Sequence, residues 1–102
     1  MNQFDVCRNI GVGRSGFPYY VVIQSREFGY LKRRLVVPLA NDNASYPPMA
    51  PRFTIQDRRL VADALLIFSL PVERLGPVVA TLSDDASQGA LIAAIDRVIS
   101  RA

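Results

Sequence analysis

A chain of 102 residues, half of them hydrophobic and 21% charged, has the balance of an ordinary globular protein and is long enough to bury roughly two thirds of its unfolded surface. One cysteine and no histidine exclude an internal disulfide, a histidine-bearing zinc site and a histidine-based catalytic triad. The net charge of +3 is uneven: residues 1–60 hold nine basic against four acidic side chains and residues 61–102 three against five, so the first half suits an acidic partner or nucleic acid.

The length implies a single domain over residues 1–102. The longest uncharged apolar run, residues 64–72, is too short to span a bilayer, and Met1-Asn2-Gln3-Phe4-Asp5 has no signal-peptide pattern. A cytoplasmic protein without membrane contact is expected.

The first predicted strand, residues 3–8, alternates Phe4 and Val6 on one face with Asp5 and Cys7 on a solvated one, which makes Cys7 a half-buried, inert thiol. Residues 9–18 hold three glycines and form a loop. Gly11, Gly13 and Gly16 match a phosphate-loop spacing, but no helical period follows, so the match is fortuitous. Tyr19-Tyr20-Val21-Val22-Ile23 is the second strand, broken at Gln24-Ser25-Arg26-Glu27. Phe28-Gly29-Tyr30 is then a surface turn whose aromatics either fold back over the barrel end or face a partner.

Residues 32–40 read as the central strand, three basic side chains entering a β-branched block, with Pro38 expected at the last pairing position or at a bulge and Asn41-Asp42-Asn43 as a turn. Proline-rich residues 41–51 make an extended loop suited to lying against a partner. Residues 52–55 and 59–62 are strands four and five around a turn at Gln56-Asp57-Arg58. Residues 65–68 read as a buried sixth strand that stops at Pro71, which opens a helical turn over residues 72–75 with Leu75 inward, closed by Gly76 and Pro77.

The one convincing helix starts at Ser83 as N-cap, with Asp84 and Asp85 in its first turn and Arg97 and Arg101 in its last. Leu91, Ile92, Ile95, Val98 and Ile99 form its apolar stripe, and Gly89 is expected to mark a close backbone approach. Apolar residues on more than one helix face call for a homodimer. Asp57, Asp63 and the Asp84-Asp85 pair are the only clustered carboxylates, and turn or cap roles account for them. No general acid/base pair and no cofactor or metal set is present, so no enzymatic activity is expected.

Two motifs carry a family resemblance. Arg33-Arg34-Leu35-Val36-Val37-Pro38-Leu39 resembles the Arg-Arg-x-Val-Ile-Pro-Leu signature of the CcdB family, and residues 69–83, from Ser69-Leu70-Pro71-Val72 to Ala80-Thr81-Leu82-Ser83, match its S-x-P-V-x-x-x-G-x-x-V-A-x-L-S without a gap. Gln3-Phe4-Asp5-Val6 and Phe17-Pro18 fit the family's opening, so the resemblance covers essentially the whole chain. It implies a mainly β (α+β) fold, an SH3-like antiparallel β-barrel of the CcdB/MazF type with a C-terminal helix, in a symmetric homodimer. It also implies the toxin of a type II toxin-antitoxin module, one that poisons the A subunit of DNA gyrase and is neutralised by a CcdA-like antitoxin, without direct sequence-specific nucleic-acid binding.

Carried over from the family, the gyrase contact falls on Gln24, Ser25, Phe28, Asp96, Ile99, Ser100, Arg101 and Ala102, and the antitoxin contact on Arg8, Arg14, Tyr46 and Arg52. Where many members have Trp-Gly-Ile, this chain has Ser100-Arg101-Ala102, which removes apolar anchors and implies a weaker grip on gyrase. Two other readings stay open: an attenuated or retargeted relative that mainly binds antitoxin, and a MazF-like endoribonuclease using Arg33 and Arg34.

Overall fold

A computed structural model describes residues 1–99, so the predicted contact residues Ser100, Arg101 and Ala102 lie outside the described residues. The strands are β1 (Asp5–Asn9), β2 (Tyr19–Val22), β3 (Arg33–Asn41), β4 (Arg52–Ile55), β5 (Arg58–Ala62), β6 (Phe68–Pro71) and β7 (Leu75–Thr81), followed by helix α1 (Asp85–Ile99). All pairings are antiparallel, in the order β4-β5-β3-β2-β1-β7, with β6 on β3 beside that path. The result is the mainly β architecture that the resemblance implies: a curled half-barrel with one C-terminal helix.

The curl gives the central strands two buried faces. Val6, Val21 and Val37 form a cross-strand row facing the main core, where Leu39, Leu60 and Leu91 of α1 join them. Their neighbours Cys7, Val22 and Val36 face a second cluster closed by Leu70 and Leu75. Burial on both sides explains why β2 and β3 read as continuous apolar runs rather than alternating ones. It also corrects the solvated face assigned to strand one: Cys7 is fully buried, and burial, with Asp5 adding to it, pushes its thiol pKa up, so the sulfur stays protonated and inert.

Pro38 does not end the central strand, which runs on to Asn41. The Ile23 N–H donates to the Leu35 carbonyl at 3.0 Å, and from there the antiparallel alternation makes Tyr20 and Pro38 a non-hydrogen-bonded pair. The nitrogen of Pro38 therefore points away from β2. On that other side β3 leaves β6 after Val36 and joins β5 at Leu39, so no ladder donor is missed at Pro38.

The region after β5 departs most from the sequence reading. Ala64–Leu66 is a 3-10 turn, and the sixth strand begins only at Phe68 and continues through Pro71. Leu65 and Leu66 are exposed at 79% and 46%, where a buried strand was expected. After a turn at Val72–Arg74, Leu75 is indeed buried, but it opens β7, and Gly76 and Pro77 continue that strand rather than close a loop. Gly76 is the glycine that packing requires: a Cβ there would stand 2.7 Å from the Arg8 carbonyl oxygen and 2.8 Å from Ile10 Cγ2. At Gly89 a Cβ would meet nothing within 4 Å, so the close approach expected there is absent among the described residues.

Two boundaries shift by a residue. The turn between β4 and β5 is the two-residue Gln56-Asp57, both at positive φ (49° and 65°), and Arg58 already pairs with Ile55. At α1, Asp84 and not Ser83 caps the helix: its Oδ2 accepts from the Ser87 N–H at 2.8 Å, and that bond holds the carboxyl below its ordinary pKa. Among the described residues no helix is long and apolar enough to cross a membrane.

Candidate functional site

The end of β2 and the turn after it are held by two side chains that stand in for missing strand partners. Gln24 Nε2 donates to the carbonyls of Phe28 at 3.0 Å and Arg33 at 3.2 Å, while its Oε1 accepts from the Leu35 N–H at 3.1 Å. Arg34 gathers the carbonyls of Met1, Gly29, Leu31 and Arg33. Ser25 caps the short 3-10 turn Arg26–Phe28, its Oγ accepting from the Glu27 N–H at 3.3 Å. These bonds satisfy backbone groups that a loop would otherwise leave to water.

The turn so fixed projects apolar side chains outward. Phe28, Tyr30 and Leu31 are exposed at 46%, 79% and 44%, which resolves the choice left open by the sequence: neither aromatic folds back into the barrel. Beside this rim lies an open polar hollow of about 360 Å³ lined by Gln24, Ser25, Arg26 and Arg34 together with residues 1–3. Gln24 and Ser25 are thus in one place with Phe28, and Gln24 acts on the turn's own backbone.

Asp96 and Ile99 sit on the outer face of α1, with Ile99 71% exposed. Helix α1 buries Leu91 and Ala94 and packs on the Ala64–Leu66 turn, while Ile92 and Val98 of the predicted stripe remain about 40% exposed. The sheet of the same chain thus leaves this amphipathic stripe half uncovered.

The four residues assigned to the antitoxin contact separate into two pairs. Arg52 holds the proline-rich loop from within: Nε pairs with Asp42 at 2.9 Å, and the remaining donors reach the carbonyls of Tyr46, Pro47, Pro48 and Ala50. Tyr46 donates its hydroxyl to Asp63 at 3.0 Å, and its pKa is raised by burial and by that bond. Both are therefore spent on the fold, and the loop is wound around a guanidinium rather than extended. Arg8 and Arg14 are exposed at the other end of the chain's first strand, with Arg14 bonded to the Gly11 carbonyl at 3.1 Å.

Sequence reasoning missed the surface made by Leu65, Leu66 and Phe68. They line an open apolar hollow of about 430 Å³ with Phe17 and Tyr20, and the Tyr20 and Phe68 rings meet edge-on at 5.5 Å between centroids. The only signal was an apolar block too short to assign, which was read as buried. Of the suspected arginines, Arg33 is bound to Ser69, through Nε to its hydroxyl at 2.9 Å and through the terminal nitrogen to its carbonyl at 2.8 Å. Among the described residues no group of three or more cysteine, aspartate or glutamate side chains is placed to hold a metal ion.

Comparison with solved structures finds the same fold in toxins. A mycobacterial endoribonuclease in complex with its cognate antitoxin matches with a TM-score of 0.80 at 14% identity, over 97% of this chain and 94% of that one. An Mtb toxin matches at 0.73 and 14% identity, over 92% and 99% of the two chains. The Mycobacterium tuberculosis toxin MazF-mt6 matches at 0.72 and 13% identity, over 95% of each. No curated protein matches the sequence. At such identities these structures speak to the fold alone. The family model for the CcdB protein, however, matches residues 3–100, which hold both signature motifs and the turn described above, and the chain therefore belongs to the CcdB family.

Proposed function

We propose that this CcdB-family chain is the toxin of a toxin-antitoxin module, that it acts as a homodimer, and that it inhibits DNA gyrase through two groups, Gln24, Ser25 and Phe28 at the turn after β2 and Asp96 and Ile99 on α1. The observation that carries this reading is the fixed turn after β2. Gln24 and Arg34 tie its backbone, so Phe28, Tyr30 and Leu31 are displayed without a large ordering cost when a partner arrives. The half-uncovered stripe of α1 supports the homodimer: Ile92, Val98 and Ile99 gain burial only against another surface. The fold neighbour seen with a cognate antitoxin supports an antitoxin as the second partner.

The endoribonuclease reading has less support. Arg33 and Arg34, the arginines best suited by sequence to stabilise a phosphoryl transition state, direct their N–H groups to Ser69 and to backbone carbonyls. The test is supercoiling by purified gyrase with and without the full chain. Inhibition is expected, reduced about tenfold or more in Phe28→Asp, since a charge at the rim centre removes a large apolar contact. Undiminished inhibition by Phe28→Asp sinks the assignment of this face. Discrete RNA cleavage without gyrase inhibition, lost in Arg34→Ala, establishes the nuclease reading instead.

A further inference from the structure

Two hollows adjoin across the edge-on pair of Tyr20 and Phe68, whose side chains line both. The strand register sets the pair there: Tyr20 of β2 stands opposite Pro38 and Phe68 of β6 opposite Val36, so β3 runs between them. On one side Phe17, Leu65 and Leu66 wall the apolar hollow of about 430 Å³, which has the volume of a small-molecule site, commonly about 300–1,000 Å³. On the other side a smaller hollow of about 220 Å³ is walled by Asn9, Val12, Leu70 and Arg74. Its rim is fixed, because the Asn9 side chain donates to the Phe17 carbonyl and accepts from the Gly11 N–H, each at 2.8 Å, and Asn9 pairs with Leu75 beside Arg74.

Among the described residues Arg74 is the one charged side chain that lines either hollow, and it makes no side-chain hydrogen bond there and no ion pair, for the ion pairs join Asp42 to Arg52 and to Arg59. Other arginines are engaged within the fold. Arg33, Arg34 and Arg52 direct their donors at the chain's own hydroxyl and carbonyl oxygens, and the guanidinium carbons of Arg8 and Arg58 stand 5.9 and 5.7 Å from the Tyr19 ring centroid. An unspent guanidinium beside an apolar volume complements a ligand with one anionic end and a hydrocarbon body. We propose that the two adjoining hollows bind a free amphipathic carboxylic acid, its hydrocarbon chain against Phe17, Leu65 and Leu66 and its carboxylate on Arg74.

A single-headed chain fits these walls better than a peptide or a polyanion. A peptide brings an N–H and a carbonyl with nearly every residue, and the larger hollow offers them no polar side chain but Tyr20, whose hydroxyl burial keeps neutral by pushing its pKa up. Nucleic acid and anionic lipid surfaces are held by several cations. Here Glu73 stands next to Arg74, and no second cation lines either hollow. One carboxylate, with a single charge shared by two oxygens in a plane, matches one guanidinium.

The test uses calorimetry on the full chain with octanoate, octanol and octyltrimethylammonium, and amide NMR to locate each probe. Octanoate is expected to bind saturably, about tenfold tighter than octanol, and to shift the resonances of Tyr20, Leu66 and Phe68. Arg74→Gln, which removes no hydrogen bond of the described fold, is expected to bring octanoate down to the affinity of octanol while octanol binding and the melting temperature stay unchanged. Leu65→Ser, at an exposed position of the turn, is expected to weaken both by about threefold or more. No saturable octanoate binding, equal affinity for octanoate and octanol, a preference for the cation, undiminished octanoate binding by Arg74→Gln, or shifts confined to other regions overturns the proposal. So does an octanoate affinity that falls as protein concentration rises, since a second copy of the chain then covers the hollows. Gyrase takes no part in this assay, so either result leaves the toxin reading standing.

Discussion

The turn after β2 and the loop after β3 are built on the same device, a single guanidinium that collects backbone carbonyls, yet they end as different surfaces. Around Arg34 the carbonyls come from Gly29, Leu31 and Arg33, which follow a short 3-10 turn, and from the distant Met1, and tying them leaves Phe28, Tyr30 and Leu31 outside. Around Arg52 the carbonyls come from one continuous run, residues 46–50, and an ion pair with Asp42 neutralises the charge at the centre. The second loop therefore closes on itself and turns its tyrosine inward to Asp63. An arginine-rich sequence is thus no measure of a basic binding surface: these two cations are spent on the chain's own backbone.

The comparison breaks most readily at Arg52. Arg52→Ala leaves four carbonyls without their partner and Asp42 with only the longer Arg59 contact at 3.8 Å, and is expected to cost about 2 kcal/mol, seen as a lower urea midpoint with an unchanged slope. Arg52→Lys keeps the charge but loses the planar fork, so most of that loss should remain.

A smaller effect is expected at the other turn. Arg34→Ala frees the Gly29 and Leu31 carbonyls in a more open setting and should cost about 1–2 kcal/mol. Its sharper signature is local: the amides of Phe28, Gly29 and Leu31 should exchange faster with solvent while those of β2 keep their protection. Equal loosening of both elements would mean that Arg34 supports the sheet and not the turn.

The smallest expected effect is at Asp84, where a charged side chain grips the backbone with the opposite sign. Its carboxyl titrates below the ordinary range because the ionised form accepts the Ser87 N–H. A lowered folded-state pKa means stability that is full above the unfolded carboxylate range and lost as pH falls through the folded value. Asp84→Asn keeps an acceptor and removes that dependence, so natural and variant chains should differ in melting temperature near neutrality and converge in acid.

How the sequence led to these sites differs from one to the next. Gln24, Ser25 and Phe28 were legible as a turn because β2 ends in polar residues, and the resemblance placed a contact there. That Gln24 would bridge Phe28, Arg33 and Leu35 was not legible, since its partners lie up to eleven residues away on another strand. That Arg52 and Tyr46, assigned to the antitoxin from the resemblance, bind Asp42, Asp63 and the loop's own carbonyls was not legible, because an arginine beside a proline-rich loop carries no sign of which way it points.

By itself the sequence determined the strand runs of β1 to β5, the amphipathic helix and the family, because β-branched blocks, turn residues and caps act over a few residues and leave a local pattern. Tertiary structure alone decided that Pro38 sits inside a strand, that Leu65 and Leu66 face outward, and that Gly76 lies within a strand against Arg8. Each depends on which strand lies alongside, and a short apolar run carries the same pattern whether a neighbour covers it or not. The same reason separates the arginines: whether a guanidinium meets a carbonyl, a carboxylate or a ring is fixed only when the sheet curls and brings distant residues together.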